Sequence, residues 1–298
     1  MARDVEMIRF GQDSAKIKTE FTARGRDFKG EMTIFRDKKR RVRINGIPVD
    51  KTSDLMGFLS VVMFCPDDLK LVKGSPQGRR RMLDLAMCQV SKKYFFALSQ
   101  YIKTLEQRNK LLRDDPDSDS IWVWNEKLAK TGSDIIVMRN AFLERLGSSA
   151  AGVCKDISGE TLTLKYVCGG EPVYEDFIKL IEKNAARERK MGISLVGPHR
   201  DDFDIFINDA PAKMYGSQGQ QRTAAVALKL AEVAVIKDRT GEMPVLLLDD
   251  VMSELDTHRR KYIAGSIKDM QVIITCTSPE GVKGNNSVCV EDLYEQKV

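Results

Sequence analysis

Pro244-Val245-Leu246-Leu247-Leu248-Asp249-Asp250 is an apolar run that ends in two carboxylates, and Ser253-Glu254-Leu255-Asp256 follows after two further residues. Consecutive apolar residues bounded by Pro on one side and acids on the other read as a buried strand of a parallel sheet. In open α/β sheets, ligands collect at the carboxyl ends of such strands. There Asp249 is placed to hold Mg2+ directly or through water, and Asp250 to orient or deprotonate an attacking water. A strand that merely stops at a polar turn has the same appearance, so this reading needs a second motif.

Upstream, Tyr215-Gly216-Ser217-Gln218-Gly219-Gln220-Gln221-Arg222 directly precedes a strongly periodic segment in which Ala225, Leu228, Ala231 and Val235 make an apolar face. Ser217 is a natural N-cap, and Gly219 lets the backbone approach a ligand closely. Unpaired N–H groups and the positive dipole end suit such a helix start to an anion; an ordinary capped helix is the alternative. Downstream, Gln271-Val-Ile-Ile-Thr-Cys-Thr277 reads as another buried strand. The order Ser-x-Gly-Gln, helix, apolar strand ending in two Asp, then Ser-Glu-Leu-Asp within about 40 residues resembles the C-terminal half of an ABC-type ATPase head. In that likeness the segments are signature, Walker B and D-loop, and Thr277 stands where a polar switch residue is expected.

Working outward, three stretches emerge: 1–84, 85–190 and 191–298. The first reads mostly as strands: Ala15–Ala23, Met32–Phe35 and Arg41–Ile44, with Asn45-Gly46 signalling a type I′ hairpin that returns through Ile47-Pro48-Val49. Leu55–Phe64 is apolar. The charge run Arg36-Asp37-Lys38-Lys39-Arg40-Arg41 lies at a loop, as a solvated hairpin tip or a phosphate-contacting patch. Arg79-Arg80-Arg81, after Gly74-Ser75-Pro76, is open to the same two readings. Pro76 puts these arginines near a first helical turn, a poor place unless an anion or acidic neighbour is close.

The second stretch reads as an antiparallel helical hairpin. Tyr94, Leu98, Tyr101, Leu105 and Leu112 form one stripe, with Arg108 filling a slot, and Ile121, Trp124, Leu128, Ile135, Met138 and Phe142 form another, with Thr131 in the seam. The polar segment Asp114–Ser120 joins them. A strand at Thr161–Val167 and a helix at Tyr174–Lys190 complete this arm.

Composition narrows the classes. A net charge of +5 on 48 basic and 43 acidic residues permits nucleic-acid binding without demanding it. No apolar run reaches about 18 residues, which excludes a spanning helix, and the first ten residues show no signal core. The six Cys (Cys65, Cys88, Cys154, Cys168, Cys276, Cys289) are scattered, which favours reduced cytosolic thiols over a zinc or redox site.

The chain resembles the RecF family, bacterial recombination mediators related to the SMC proteins. The likeness rests on Phe64-Cys-Pro-Asp-Asp68-Leu-Lys-Leu-Val-Lys-Gly74-Ser-Pro, Gln107-Arg108-Asn109-Lys110-Leu111-Leu112, Val196-Gly197-Pro198-His199-Arg200-Asp201-Asp202, the Ser217 segment and Leu248–Asp256. It runs from about residue 4 to the C-terminus. The resemblance implies an α/β ABC/SMC-type ATPase head with an inserted helical lid. It implies a cytoplasmic, ATP-dependent DNA-binding protein of replication, recombinational repair and the SOS response. Single-stranded, gapped or junction DNA, RecO- and RecR-like proteins and an ATP-dependent homodimer would be its partners. Asp249 would then take Mg2+ and Asp250 the catalytic carboxylate position. Ser217, Gly219 and Gln220 would cap the γ-phosphate of ATP held by a second subunit. Asp68 falls in the Q-loop region, and Asp256 in the D-loop.

One feature departs from the family. No G-x-x-x-x-G-K-[ST] occurs in the 298 residues; the nearest candidate, Gly74-Ser-Pro-Gln-Gly78-Arg, lacks the Lys. A strand–P-loop–helix unit of at least about 30 residues is expected to be missing, through truncation or a misplaced start. ATP binding by this chain is accordingly expected to be weak. Two classes stay open: an ATP-driven DNA-binding clamp or loader, and a nucleotide-independent DNA- or partner-binding remnant. Another SMC-like head or a transporter ATPase fits the motifs less well.

Overall fold

The computed structural model describes residues 4–49, 55, 57–277, 286 and 288. Its N-terminal part is an antiparallel meander of β1 (Ser14–Ala23), β2 (Arg26–Phe35), β3 (Arg41–Ile44) and β4 (Ile47–Val49). Asn45 and Gly46 have φ of 51° and 81°, as the type I′ turn requires. Arg24 and Gly25 turn the first hairpin with φ of 51° and 68°, although Arg24 carries no turn signal. Of the apolar run 55–64, only β5 (Val61–Phe64) is strand; Met56 lies outside the described residues.

β5 joins β9 (Val245–Asp249) and β10 (Val272–Thr275) in a parallel sheet of order β10-β9-β5. The parallel strand expected at 245–249 is present, and among the described residues only one face of its sheet enters a buried cluster. Val62, Phe64, Leu246 and Leu248 bury themselves against Val226, Leu230, Val233 and Ile236 of α6 (Gln218–Thr240) and Ile263 of α7 (Thr257–Ser266). The alternate set, Val61, Met63, Val245, Leu247 and Ile273, shares the opposite face by register and belongs to neither buried cluster. Ile273 is 53% exposed. A partly exposed apolar face promotes association. The chain expressed alone is expected to bind a hydrophobic dye and to self-associate, and Leu247→Glu combined with Ile273→Lys should reduce both. A monodisperse wild-type monomer with no dye signal in sedimentation and fluorescence assays would contradict this.

The helical part begins with α1 (Pro76–Val90), α2 (Lys92–Asp114) and α3 (Ile121–Ser158). α2 and α3 make the expected hairpin across the polar turn. α3 runs well past Phe142 because Leu146, Ala150, Cys154 and Ile157 extend its buried stripe, and Gly159 ends it at φ 72°. After β6 (Leu162–Val167) comes α4 (Tyr174–Met191). β6 then pairs antiparallel with β7 (Asp202–Ile207), and β7 with the short β8 (Ala210–Pro211). The short α5 (Ala212–Tyr215) leads into α6.

The boundaries expected at 84 and 190 both fall inside helices, α1 and α4. One buried core unites Leu83, Tyr94, Tyr101, Leu128, Ile135, Phe177 and Phe203 with Ala224, Ala227 and Leu228 of α6. The slot filled by Arg108 holds a buried ion pair: its Nη2 donates to Glu188 Oε2 at 2.6 Å, its Nη1 to Ser194 Oγ and its Nε to Asn125 Oδ1. Among the described residues, no helix is long and apolar enough to cross a membrane. Cys65, Cys88, Cys154, Cys168 and Cys276 are free thiols, and Cys289 lies outside the described residues.

Candidate functional site

The parallel register brings the ends of β9 and β10 level, with Thr275 opposite Asp249. Thr275 Oγ1 donates to Asp249 Oδ1 at 2.6 Å. The Asp250 amide donates to Thr275 O and Oγ1, both at 3.1 Å. At φ 51° Asp250 turns the chain sharply out of the strand, and Ser253 Oγ locks that turn by donating to Asp250 O at 2.7 Å and Oδ1 at 3.2 Å. Neither carboxylate forms an ion pair among the described residues. Two adjacent carboxylates at a strand end, neither in an ion pair among the described residues, are oxygen donors of the kind Mg2+ takes when phosphates complete its shell.

The hydroxyl that meets Asp249 is thus Thr275, which sequence reasoning passed over. Thr277, expected as the switch residue, lies two positions beyond the strand on an exposed segment. Only the register of β10 against β9 sets Thr275 beside Asp249.

α6 starts as expected. Ser217 Oγ accepts from the Gln220 amide at 3.2 Å, and Gln220 Oε1 accepts from the Ser217 amide at 2.8 Å, a reciprocal capping box. Both ends of the Gln220 side-chain amide are engaged within the chain, since its Nε2 also donates to Glu160 Oε1 at 2.6 Å. A Cβ on Gly219 would lie 3.4 Å from Arg259 Nη2, an approach tight enough to require adjustment.

Arg259 is the second residue that sequence reasoning missed. Its Nη2 donates to Gly219 O and Thr223 Oγ1, both at 2.6 Å, and its Nη1 pairs with Asp256 Oδ2. Asp256 N-caps α7 by accepting from the His258 and Arg259 amides at 3.0 Å. The Arg259 amide, followed by its guanidinium, holds the Asp256 carboxyl below the usual range. Arg222 and Glu254 form a second tie at 3.7 Å between the start of α6 and the segment after Asp250. The structure therefore joins Ser217–Gly219 to Asp256 and Asp249–Asp250 to Thr275; among the described residues, no direct bond links the two groups.

Asp68 lies on a short turn, Pro66–Lys70, at the same end of the sheet as Asp249. Its Oδ2 caps that turn by accepting from the Cys65 amide at 2.9 Å. The three arginines at the start of α1 separate. Arg79 is 3% exposed and fully engaged, with a bidentate pair to Asp202 at 2.6 and 2.8 Å and bonds to Leu71 O and Gly74 O. It cannot contact DNA; Asp202 is the acidic neighbour that a cation on a first helical turn needs. Arg80 Nη1 donates to Asp201 O, and Arg81 is exposed. In the hairpin run, Arg40 pairs with Asp4 at 3.0 Å and Lys38 lies 4.5 Å over the Phe35 ring. Lys39 is exposed, and Arg41 begins β3.

No protein-family model matches the chain. It is 42% identical to the DNA replication and repair protein RecF of Clostridium kluyveri over 290 residues, which cover 95% of this chain and 80% of that protein. Against the RecF of Agathobacter rectalis, identity is 42% over 284 residues, 93% of this chain and 77% of that one. The structure of the recombination mediator protein RecF with ATP in the RecFOR pathway superposes with a TM-score of 0.88 at 34% identity, covering 95% of this chain and 80% of that one. The fold is that of an ATPase head with helical insertions, and by identity and coverage the chain belongs to the RecF family.

Proposed function

We propose that the chain is a DNA-binding protein of replication and recombinational repair that is switched by ATP. The observation that carries this is the Asp249–Thr275–Asp250 cluster at the end of a parallel sheet, together with a capped helix start that Arg259 holds to Asp256. Asp249 would hold Mg2+, which supplies charge neutralisation at phosphate oxygens. Asp250 would orient water and accept its proton. Ser217 and the open N–H groups of α6 would meet the γ-phosphate of ATP on a second copy, giving an ATP-dependent homodimer. RecO- and RecR-like partners are supported by the RecFOR pathway named for a similar structure, and single-stranded or gapped DNA, a cytoplasmic location and a part in the SOS response complete the reading as what the family resemblance implies. Anisotropy with labelled gapped and blunt duplexes tests it: tighter binding to the gapped form is expected, and no binding to either would sink it.

A second reading is a module that binds DNA or partners without nucleotide. It is favoured by the lack of any G-x-x-x-x-G-K-[ST] among the 298 residues, which leaves ATP phosphates without their main backbone cradle. The 298-residue chain is expected to bind ATP weakly or not at all, with turnover equal to that of Asp249→Ala. Saturable binding at micromolar ATP in calorimetry would overturn this expectation.

A further inference from the structure

The outer face of the β1–β4 meander has a charge pattern that the loop run conceals. Register sets Lys16, Thr33 and Arg41 in one row across three strands and Lys18, Glu31 and Arg43 in the next. Lys16, Glu31, Thr33, Arg41 and Arg43 line a concavity of about 140 Å³. At about 30 Å³ per water, that is room for one tetrahedral oxyanion with part of its hydration shell.

Three cations and a hydroxyl surround this space against one carboxylate. Glu31 is already committed to lysines, 3.3 Å from Lys16 and 3.9 Å from Lys18. The side chains of Arg41 and Arg43 form no hydrogen bond or ion pair among the described residues, although Arg41 rests 5.9 Å from the Phe35 ring. Both are exposed, and both project from a strand whose pairing fixes their spacing. The buried or half-buried arginines Arg79, Arg139 and Arg259 each have anionic partners: Asp202, Asp84 with Asp201, and Asp256. Two neighbouring guanidiniums that form no ion pair, the nearby Glu31 being paired with lysines, offer planar forks suited to phosphate oxygens.

The geometry points to this concavity as a phosphate-binding site, with Arg41 and Arg43 as the forks, Lys16 as a further charge and Thr33 as hydroxyl donor. It rests on the nucleic-acid reading above for its source, a backbone phosphate of DNA, whereas the chemistry alone would serve a free phosphate equally. Glu31 limits the affinity, because its charge faces the same space.

The test measures duplex-DNA affinity against salt for the full 298-residue chain. Lys16→Gln/Arg41→Gln/Arg43→Gln should bind roughly tenfold more weakly and flatten the log–log salt slope by about one unit, the amount expected for one phosphate contact. Glu31→Gln should bind more tightly than wild type, a gain that damage to the fold does not produce. Lys92→Gln/Lys93→Gln/Lys103→Gln removes equal charge from helix α2 and should leave the slope unchanged. In parallel, inorganic phosphate is titrated into 15N-labelled protein while the Arg41 and Arg43 Nε–H signals are followed. Loss of slope in the pocket variant assigns the site to nucleic acid. Unchanged DNA binding with phosphate-dependent shifts of those signals assigns it to free phosphate. Neither effect, or an equal loss of slope in the helix control, overturns the inference. A wild-type chain that binds no DNA sinks the nucleic-acid reading itself, and the phosphate titration then decides the pocket alone.

Discussion

Arg139→Ala is expected to destabilise the protein by about 3–5 kcal/mol, because it breaks a buried ion pair from one side and leaves charge without a partner. Arg139 is 2% exposed and knits four segments together. Its Nη1 donates to Pro198 O at 2.7 Å and Asp201 Oδ2 at 2.8 Å, its Nη2 to Asp84 Oδ1 at 2.7 Å, and its Nε to Tyr94 Oη at 2.8 Å. Asp201 is 1% exposed and also takes the Tyr166 hydroxyl and the Gly169 amide. Without the guanidinium, the buried Asp201 carboxylate and Tyr94 phenol lose their cation while the partly exposed Asp84 loses its partner, and the loss is a large part of the roughly 5–15 kcal/mol that holds a typical domain. Arg145→Ala is the contrast: its pair with Asp238 spans 3.7 Å between exposed side chains, and its loss should scarcely register. Urea melts of both variants decide the matter. Equal midpoints would show that the Arg139 cluster is solvated or redundant.

That cluster also marks the limit of what the sequence discloses. Local signals were legible: the Asn45-Gly46 turn, the hairpin stripes, the capped start at Ser217 and the strand ending at Asp249 each depend on neighbours within one element. Arg108, Arg79 and Arg139 are different, because the acids that neutralise them lie 80, 123 and 55 or 62 residues away. Read locally, Arg79 belongs to a basic triplet resembling a phosphate patch; in three dimensions it is a structural cation. Thr275 escaped for a related reason. Its role depends on the register of β10 against β9, which no spacing within either strand reveals. Arg259 reads as one residue of a charged helix until α7 is laid against the first turn of α6. The basic run at 36–41 misdirects in the opposite sense. It draws attention to a loop, while the arginines that combine with a second strand are Arg41 and Arg43, the latter outside the run.

Ser217→Arg and Asp250→Asn are expected to move ATP-dependent dimerisation in opposite directions in a chain fused to a relative's strand–P-loop–helix segment. The capping box holds Ser217 at the helix start, leaving the hydroxyl proton and the first amides of α6 free to meet a phosphate from another copy. Arginine there would lose the cap, oppose the positive dipole end and fill the phosphate's place, while leaving the cluster around Asp249 untouched. Dimerisation should vanish and nucleotide binding to the monomer should survive. Asp250→Asn keeps the shape of the turn, since the Ser253 hydroxyl can still donate to the backbone carbonyl and to an amide oxygen in the same position. What it removes is the charge that would accept a proton from water, so turnover should fall by at least about a hundredfold. The ATP-bound dimer should then persist beyond the wild-type lifetime, because the step that releases it is blocked. Sedimentation with ATP over time reads both variants. If the Asn variant separates as fast as wild type, Asp250 is not the base. If the Arg variant still dimerises, the start of α6 does not face the partner's nucleotide, and the bridge from Gly219 through Arg259 to Asp256 serves only to hold α6 and α7 together.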